Sequence, residues 1–366
     1  AVMKCSRIGI VSGCLALLGA MLTTTGLAAL SEHEIEAEEA VEVERCFSFS
    51  VAWAAGGLLE EHERVVFDTW LRQLGAEMPP VEEEGDTIFN YCVDQYSQQW
   101  KAWEPQAWEF PEEGLLPADH MGPGGVVGAF DTSNMLVPTV GSMRAVYLLQ
   151  SLHSLGRPVM MTGGSGTAKT CTALMFIAEA RSDNALFKTV NFSSATSPGM
   201  LQGQVEGELD RRGGKSFGPP GGKRLTVFLD DLNMPEKNEW GDQPTLEVVR
   251  QLVEYNKVAF LDKDKRGELK NIEDLQYMAA MGHPGGGKND IPSRLKRHFF
   301  VFNMTVPGQK SIDDIYGRLT RGRFGVEGVP KKVRALADQL LGACVEVWDW
   351  CKRSMLPTPA KFHYVF

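Results

Sequence analysis

The sequence predicts an α/β protein built around a mostly parallel, doubly wound sheet. Three observations predict it: short apolar runs alternate with helical stretches, a glycine-rich turn joins one such run to a helix, and a later run ends in two aspartates. Strands that alternate with helices form parallel sheets, because each crossover places a helix on a face of the sheet. The predicted strands are 158–162, 189–192, 225–229, 276–281 and 299–303.

Four segments follow one another along the chain. Residues 1–75 show helical patterns, and residues 76–128 are rich in Pro, Gly, Trp and Glu without a steady period, which predicts an irregular connector with short strands. Residues 129–307 contain the α/β core. Residues 308–366 turn helical again, with apolar spacings of three and four over 333–351.

The stretch 8–30 contains no charged residue and is long enough to span a bilayer as a helix. Lys4 and Arg7 precede it, as in a signal peptide. Gly13, Gly19 and the threonine run 23–25 dilute and interrupt it, however. We therefore expect a buried helical hairpin and no membrane segment.

The charge and cysteine content narrow the possible partners and compartment. A formal net charge of −10 argues against a nucleic-acid partner, since phosphate backbones bind clustered Lys and Arg. Seven scattered cysteines without a Cys-x-x-Cys pair indicate reduced thiols in the cytoplasm, with neither a disulfide framework nor a zinc site.

The strongest motif is the glycine-rich turn 163–168, which follows an apolar strand and precedes a helix. Backbone N–H groups of such a turn surround a triphosphate, and the helix N-terminus adds its positive dipole end. Lys169 is placed to reach the outer phosphates and Thr170 to ligate Mg²⁺. Ala168 stands where the motif expects its second glycine, and a positive φ there would cost about 1 kcal/mol and weaken binding.

A second motif lies about sixty residues further on, where the apolar strand 225–229 ends in Asp230 and Asp231. Carboxylates at a strand end beside a phosphate-binding loop control the magnesium ion and the attacking water. We assign Asp230 to Mg²⁺, directly or through a water, and Asp231 to polarising the hydrolytic water. Two aspartates after a strand would otherwise indicate a turn or a helix cap.

Two further elements would complete a nucleotide site. His283 follows the strand 276–281 and is a candidate sensor of the γ-phosphate; alternatively, it caps the turn before the glycine run. Arg294 and Arg297 lie three apart, which puts them on one side of a helical turn. Either could act on a neighbour's phosphate as an arginine finger, or both could be solvated surface charges.

These and longer motifs resemble the third AAA+ module of dynein heavy chains, with the Ala-Lys-Thr ending and the Asp-Asp pair closer to the axonemal branch. The resemblance runs from about Phe47 to the end and is strongest from Leu136 onward. The motifs that carry it are 163–170, 191–196, 228–235, 239–242, 283–287 and 289–297.

The resemblance implies a P-loop AAA+ αβα sandwich with inserted hairpins around 257–269 and 211–223. It implies that residues 1–75 are the small lid of the second module and that 308–366 begin the third module's own lid. ATP or ADP with Mg²⁺ is the implied cofactor. The implied nucleotide-binding residues are Gly163, Gly164, Ser165, Gly166, Thr167, Ala168, Lys169, Thr170 and Cys171, with Val137, Pro138 and Thr139 against adenine.

The implied parent protein is a minus-end-directed microtubule motor of the cytoplasm and cytoskeleton, in a cilium or flagellum axoneme. Its implied partners are the neighbouring AAA+ modules of the same heavy chain. Dynein intermediate and light chains, and the microtubule reached through a stalk, would bind regions outside this sequence.

The motifs are compatible with two functions of the module, and they fit a third kind of protein less well. The site either hydrolyses ATP in the motor cycle or holds nucleotide for long periods and regulates the ring. Ala168 and the short carboxylate of Asp231 favour slow turnover, because the water must lie within hydrogen-bond reach of the base. A stand-alone AAA+ remodelling ATPase fits the glycine loop but not the 233–235 and 283–287 motifs.

Overall fold

The computed structural model describes residues 2–26, 37–82, 85–110, 135–260, 263–265, 267–285, 288–325 and 329–355. The chain divides into two units, which are described separately. The first comprises Ala1–Trp103, Ala145–Gly164 and Ala168–Thr305, and the second comprises Glu104–Arg144, Ser165–Thr167 and Val306–Phe366.

The helices and strands are numbered in chain order. The helices are α1 (Arg7–Thr24), α2 (Ala37–Val51), α3 (Glu61–Gln73), α4 (Val140–Ser154), α5 (Lys169–Glu179), α6 (Pro198–Glu206), α7 (Pro244–Tyr255), α8 (Ser293–Lys296), α9 (Gln309–Phe324) and α10 (Lys331–Ser354). The strands are β1 (Tyr91–Val93), β2 (Trp100–Ala102), β3 (Val159–Thr162), β4 (Ala185–Asn191), β5 (Asp210–Gly213), β6 (Ser216–Gly218), β7 (Arg224–Asp230), β8 (Lys257–Ala259), β9 (Leu269–Ile272), β10 (Leu275–Met281) and β11 (Phe300–Asn303).

Five strands form the central sheet in the order β11-β3-β10-β7-β4, and every neighbouring pair is parallel. These are the five strands predicted from the sequence, each within a few residues of its expected bounds. Because β10 lies between β3 and β7, its carboxyl end lies between the strand that enters the glycine turn and the strand that ends in Asp230. The topology therefore brings the ends of these three strands to one edge of the sheet.

Both faces of this sheet are covered, which explains why its strands read as continuous apolar runs. Met161 and Ala280 point into a core shared with α1, α2, α4 and α5, while Met160 and Ala279 point into a second core shared with α6 and α7. All four side chains are fully buried. The expected doubly wound α/β fold is confirmed.

A smaller sheet, in the order β5-β6-β9-β8, is built from the two predicted hairpin insertions. Strands β5 and β6 pair antiparallel, as do β8 and β9, and β6 joins β9 in parallel. Both hairpin predictions are confirmed. Their union into a single sheet was not foreseen, because it depends on pairing between segments far apart in sequence.

The prediction of a hairpin within residues 8–30 is wrong over the described part of that stretch. Residues Arg7–Thr24 form one helix that continues through Gly13 and Gly19 and packs against α2. A Cβ atom added to Gly13 would lie 2.9 Å from the ring of Phe300 on β11. Gly13 therefore permits close packing of α1 on the sheet edge instead of breaking the helix.

Helix α1 is long and apolar enough to cross a membrane by length and composition, as the core helix of a soluble protein can also be. Leu17, Ala20 and Met21 are buried in the first core. Ile8 and Leu15 are exposed.

The helical segment 37–73 continues with α2, a π-helical turn at Ala52–Gly56, and α3. The connector then forms the short antiparallel hairpin of β1 and β2, and Trp103 packs edge-on against Tyr147 at 5.4 Å between ring centroids. Trp100 also packs against the first core. Residues 83–84 and 111–128 of the connector lie outside the described residues, as do residues 129–134 of the segment that follows it.

In the second unit, α9 and α10 pack together and confirm the predicted helical tail. Arg318 of α9 donates a hydrogen bond to the carbonyl oxygen of Gln106 at 3.3 Å. Trp108 packs edge-on against Phe110.

Candidate nucleotide-binding site

The glycine turn joins the buried strand β3 to helix α5, as the sequence predicts. Gly166 has a φ of +75° and Ala168 a φ of +60°, and Ala168 is the residue that caps α5. The position that departs from the motif therefore does require the left-handed conformation, which costs an alanine about 1–2 kcal/mol. The left-handed conformation at Ala168 allows the chain to turn from β3 into α5.

Lys169 folds back over the turn that precedes it. Its Nζ donates to the carbonyl oxygens of Gly163 at 3.0 Å and Gly164 at 2.6 Å. Burial lowers the pKa of Lys169, and the nearby Lys288 ammonium lowers it further, while Asp231 and Asp230 raise it. The ammonium is thus a partly desolvated cation at the turn, where an anion would compensate for the lost hydration.

Thr170 and Asp230 meet at the carboxyl edge of the sheet. The Thr170 hydroxyl donates to Asp230 Oδ2 at 2.7 Å, although sixty positions separate the two residues. The other carboxylate oxygen of Asp230 accepts the backbone N–H of Asp231 at 3.0 Å. A hydroxyl and a carboxylate held together are the oxygen ligands that Mg²⁺ prefers.

Asp231 also adopts the left-handed conformation, with a φ of +52°. Its side chain is half exposed, and Oδ1 lies 3.6 Å from Nζ of Lys288. The carboxylate is therefore accessible to water and to a ligand, and it is paired with a lysine from the loop after β10.

His283 follows β10, and Nε2 of its ring lies 3.0 Å from Oδ1 of Asn303 at the end of β11. The same ring nitrogen lies 4.0 Å from Glu60 Oε1, which belongs to the helical segment before the connector. Asn303 is buried, and its Nδ2 donates to Glu60 Oε1 at 3.2 Å. His283 thus has partners beyond its own turn, and its role as a phosphate sensor stays a prediction.

Arg294 lies in α8 and Arg297 is the residue that caps its end, and both face α7. Arg294 contacts Glu247 at 3.2 Å and Arg297 contacts Glu254 at 2.8 Å, both carboxylates being on α7. About half of each arginine side chain is exposed. Both are ion-paired within the chain, and action on a neighbouring module stays a prediction.

The remaining candidate nucleotide contacts lie at the starts of helices α5 and α4. Cys171 lies in the first turn of α5 with its side chain exposed. In the second unit, Val137 and Pro138 precede Thr139, whose hydroxyl accepts the N–H of Ser142 at 3.2 Å and so caps α4. Ser165, Gly166 and Thr167 also belong to the second unit.

Sequence reasoning missed three residues of the first unit at this edge: Lys288, Asn303 and Asn233. Asn233 is fully buried and donates to the carbonyl oxygen of Gly282 at 3.0 Å, which ties the loop after β7 to the loop after β10. Asn303 ends a buried strand, and a polar residue at that position was the available signal. Lys288 stands in an exposed-looking Gly-Lys-Asn stretch that carried no signal.

Three features define a P-loop nucleotide-binding protein of the AAA+ class. A glycine turn joins strand to helix, a lysine folds over that turn, and a threonine is bonded to the aspartate at the end of β7, a parallel strand two places away from β3 in the sheet. Comparison with protein families agrees. Residues 128–307 match the family described as the P-loop containing dynein motor region, and residues 1–105 match the dynein heavy chain AAA lid domain. The chain belongs to the dynein heavy chain family, whose AAA modules bind nucleotide.

Curated relatives show the same membership. The chain is 41% identical over 325 residues to the dynein gamma chain of the flagellar outer arm of Chlamydomonas reinhardtii. It is 40% identical over 326 residues to dynein axonemal heavy chain 5 of Rattus norvegicus, and 38% identical over 328 residues to dynein axonemal heavy chain 8 of Homo sapiens. Each match covers 88% of this chain but only 7%, 9% and 7% of the respective relatives.

Proposed function

We propose that this chain is an ATP-binding, slowly hydrolysing AAA+ module of a ciliary dynein heavy chain, contributing to minus-end-directed movement along microtubules. The bond between Thr170 and Asp230 carries the proposal, because it joins the two motif ends in the arrangement that nucleotide hydrolysis needs. Localisation in the cytoskeleton of a cilium or flagellum axoneme follows from the flagellar and axonemal relatives.

In the proposed organisation, residues 1–75 are the small lid of the preceding module and 76–128 connect it to the core. Residues 129–307 are the ATPase core, and 308–366 begin its own lid. Contacts within the first unit support the tie between lid and core: Arg64 is buried and donates to the carbonyl oxygens of Asn303 at 2.9 Å and Gly57 at 3.4 Å.

The proposed nucleotide contacts are made by the glycine turn, by Cys171 and by the 137–139 loop. Lys169 would neutralise the outer phosphates. The described residues hold no cluster of three or more His, Cys, Asp or Glu side chains placed for a metal. Thr170 and Asp230 would instead bind Mg²⁺ together with phosphate oxygens, as P-loop proteins do. Asp231 would orient the water, and His283 would sense the γ-phosphate.

The proposed partners are the neighbouring AAA+ modules of the same heavy chain, with Arg294 or Arg297 acting on the preceding module's nucleotide. Each arginine side chain is about half exposed, although Glu247 and Glu254 are only 27% and 17% exposed, so either guanidinium is accessible to a phosphate from outside the chain. Intermediate and light chains, and the microtubule, would be reached through other regions of a heavy chain.

The alternative function is that of a regulatory module that holds ATP or ADP without significant turnover. One observation favours it: the Asp231 carboxylate, one methylene shorter than a glutamate, lies beside Lys288. A base that is held by a cation and cannot reach the in-line water would hydrolyse slowly, since small misplacements cost about a hundredfold in rate.

Substitution of Asp231 in the intact heavy chain separates the two functions. If Asp231 orients the water, Asp231→Asn lowers single-turnover hydrolysis about a hundredfold with ATP binding retained. Asp231→Glu raises hydrolysis, because the longer acid restores the reach. The first module's site is disabled in all variants, so that the measured turnover belongs to this site.

Unchanged turnover in Asp231→Asn would remove Asp231 from the water-orienting role and favour the regulatory function. Asp242→Asn serves as the matched control. Asp242 is an exposed aspartate in the loop after β7, and its substitution should leave hydrolysis unaltered.

A further inference from the structure

A second lysine lies close to the proposed phosphate position. Lys288 comes from the loop after β10, and its Nζ is 3.6 Å from Asp231 Oδ1. The Lys288 ammonium also lowers the pKa of Lys169, although burial is the larger cause of that shift. The two ammonium groups therefore act on the same small region at the carboxyl edge of the sheet.

The backbone around Lys288 is built so that its side chain can cross the loop. A Cβ atom added to Gly282 would lie 2.6 Å from both Cδ and Nζ of Lys288. The lysine side chain therefore passes directly over the backbone of Gly282, at the end of β10. Lys288 and Gly285 also exchange two backbone hydrogen bonds of 3.0 Å each, which fix the backbone of the lysine to the end of the loop segment 282–285.

The residue after Lys288 is fixed to the loop that follows Asp231. The backbone N–H of Asn289 donates to the carbonyl oxygen of Asn233 at 3.2 Å, and its side-chain amide donates to that of Pro235 at 3.1 Å. Asn233 in turn donates to Gly282. These bonds hold the backbone beside Lys288 close to the loop that follows Asp231.

The pair between Lys288 and Asp231 is weak and can be exchanged. Its 3.6 Å separation exceeds that of a good charge-assisted hydrogen bond, and the side chains are 32% and 50% exposed. Exposed ion pairs contribute little, so a polyphosphate with several charges would displace the carboxylate as the lysine's partner.

We propose that Lys288 is a second cationic contact for the terminal phosphate of the nucleotide, and that it leaves Asp231 when that phosphate binds. This inference rests on the proposed function and deepens it. Lys169 serves any nucleotide at the glycine turn, whereas Lys288 distinguishes a nucleoside triphosphate from a diphosphate. Its release also frees Asp231 for the water.

The test measures the affinities of the 366-residue chain for Mg·ADP and for a non-hydrolysable ATP analogue with Mg²⁺ by calorimetry. Lys288→Gln should lower the affinity for the triphosphate about tenfold, which is the loss expected for one charge-assisted contact. The affinity for the diphosphate should change by less than about twofold. Lys288→Arg should keep most of the triphosphate affinity. Lys257→Gln, at an exposed lysine of β8, is the control and should change neither affinity.

A double-mutant cycle with Asp231→Asn measures the coupling between Lys288 and Asp231 in triphosphate affinity. A purely structural role of Lys288 would not produce this coupling. Removing the carboxylate frees Lys288, so Asp231→Asn should tighten triphosphate binding more in the wild-type background than in Lys288→Gln. Equal effects in both backgrounds would overturn the exchange between Asp231 and phosphate.

Equal losses for both nucleotides in Lys288→Gln, or no loss for either, would overturn the contact while leaving the proposed function intact. A wild-type chain that binds neither nucleotide would overturn the proposed function, and this inference with it. The two failures are therefore distinguishable.

Discussion

At the scale of single residues, the site holds two non-glycine residues in the left-handed conformation, Ala168 and Asp231. An aspartate tolerates this region better than an alanine, because its short polar side chain can bond locally. Ala168 gains no such bond, and its side chain makes no capping bond to α5. Backbone strain is therefore greater at Ala168 than at Asp231, and a substitution that relieves it should increase stability more at position 168.

Replacing Ala168 by glycine should raise the free energy of unfolding by about 0.5–1 kcal/mol. The removed left-handed strain exceeds the entropy that glycine loses on folding. Urea unfolding of the 366-residue chain measures the change.

Ala178→Gly is the matched control for this prediction, because Ala178 is an exposed residue of the same helix with ordinary helical geometry. That variant should lose up to about 1 kcal/mol, the helix-propensity difference between the two residues. A loss of stability in Ala168→Gly as well would show that the positive φ carries no strain.

The sequence predicts some site residues better than others, for a physical reason. The glycine turn and the strand ending in Asp230 have fixed spacings to local structure, so Lys169, Thr170 and Asp230 fall where the motifs expect them. The placement of Lys288 depends on space above Gly282 and on bonds between two loops. No local pattern encodes either, so the sequence gives no sign of that contact.

At the scale of elements, the packing of α1 on the central sheet shows that sequence composition does not reveal whether a glycine interrupts a helix or allows it to pack closely. The composition of 8–30 suggested interruption, because glycine disfavours helices. In the structure, the two glycines differ. Gly13 faces the ring of Phe300, while a Cβ atom at Gly19 would meet no heavy atom within 4 Å beyond the backbone of its own helix.

This contrast gives a paired prediction for the free energy of unfolding. Gly13→Ala should destabilise the chain by about 1 kcal/mol, because overpacking against Phe300 outweighs the gain in helix propensity. Gly19→Ala should stabilise it by about 0.5–1 kcal/mol through propensity alone. Chemical denaturation of both variants measures the two changes, and stabilisation by both substitutions would contradict the packing of α1 on β11.

At the scale of the whole molecule, the first unit joins the N-terminal helices to the α/β core through the end of β11. Asn303 bonds to Gly57 and Glu60, and Arg64 bonds back to Asn303. The Arg64 guanidinium also lies 4.9 Å from the ring centroid of Phe89 and 5.4 Å from that of Trp53. The carboxyl ends of β10 and β11, where His283 and Asn303 lie, are thus bonded to the segment proposed as the preceding module's lid.

The strand alternation was enough to predict the central sheet, because its period and length are local properties of the chain. The junction through Arg64 could not be predicted in the same way, since it joins residues about 240 positions apart. A buried arginine also reads in the sequence as an ordinary surface charge of an amphipathic helix.

The central claim is that this chain binds ATP through the glycine turn, and substitution of Lys169 tests it most directly. Titration of the 366-residue chain with Mg·ATP in a calorimeter should show binding for the wild type and for Lys215→Ala, an exposed lysine of the β5–β6 turn. Lys169→Ala should abolish the binding heat, because it removes the ammonium that is held directly over Gly163 and Gly164 of the glycine turn. Unchanged affinity in Lys169→Ala would contradict the claim.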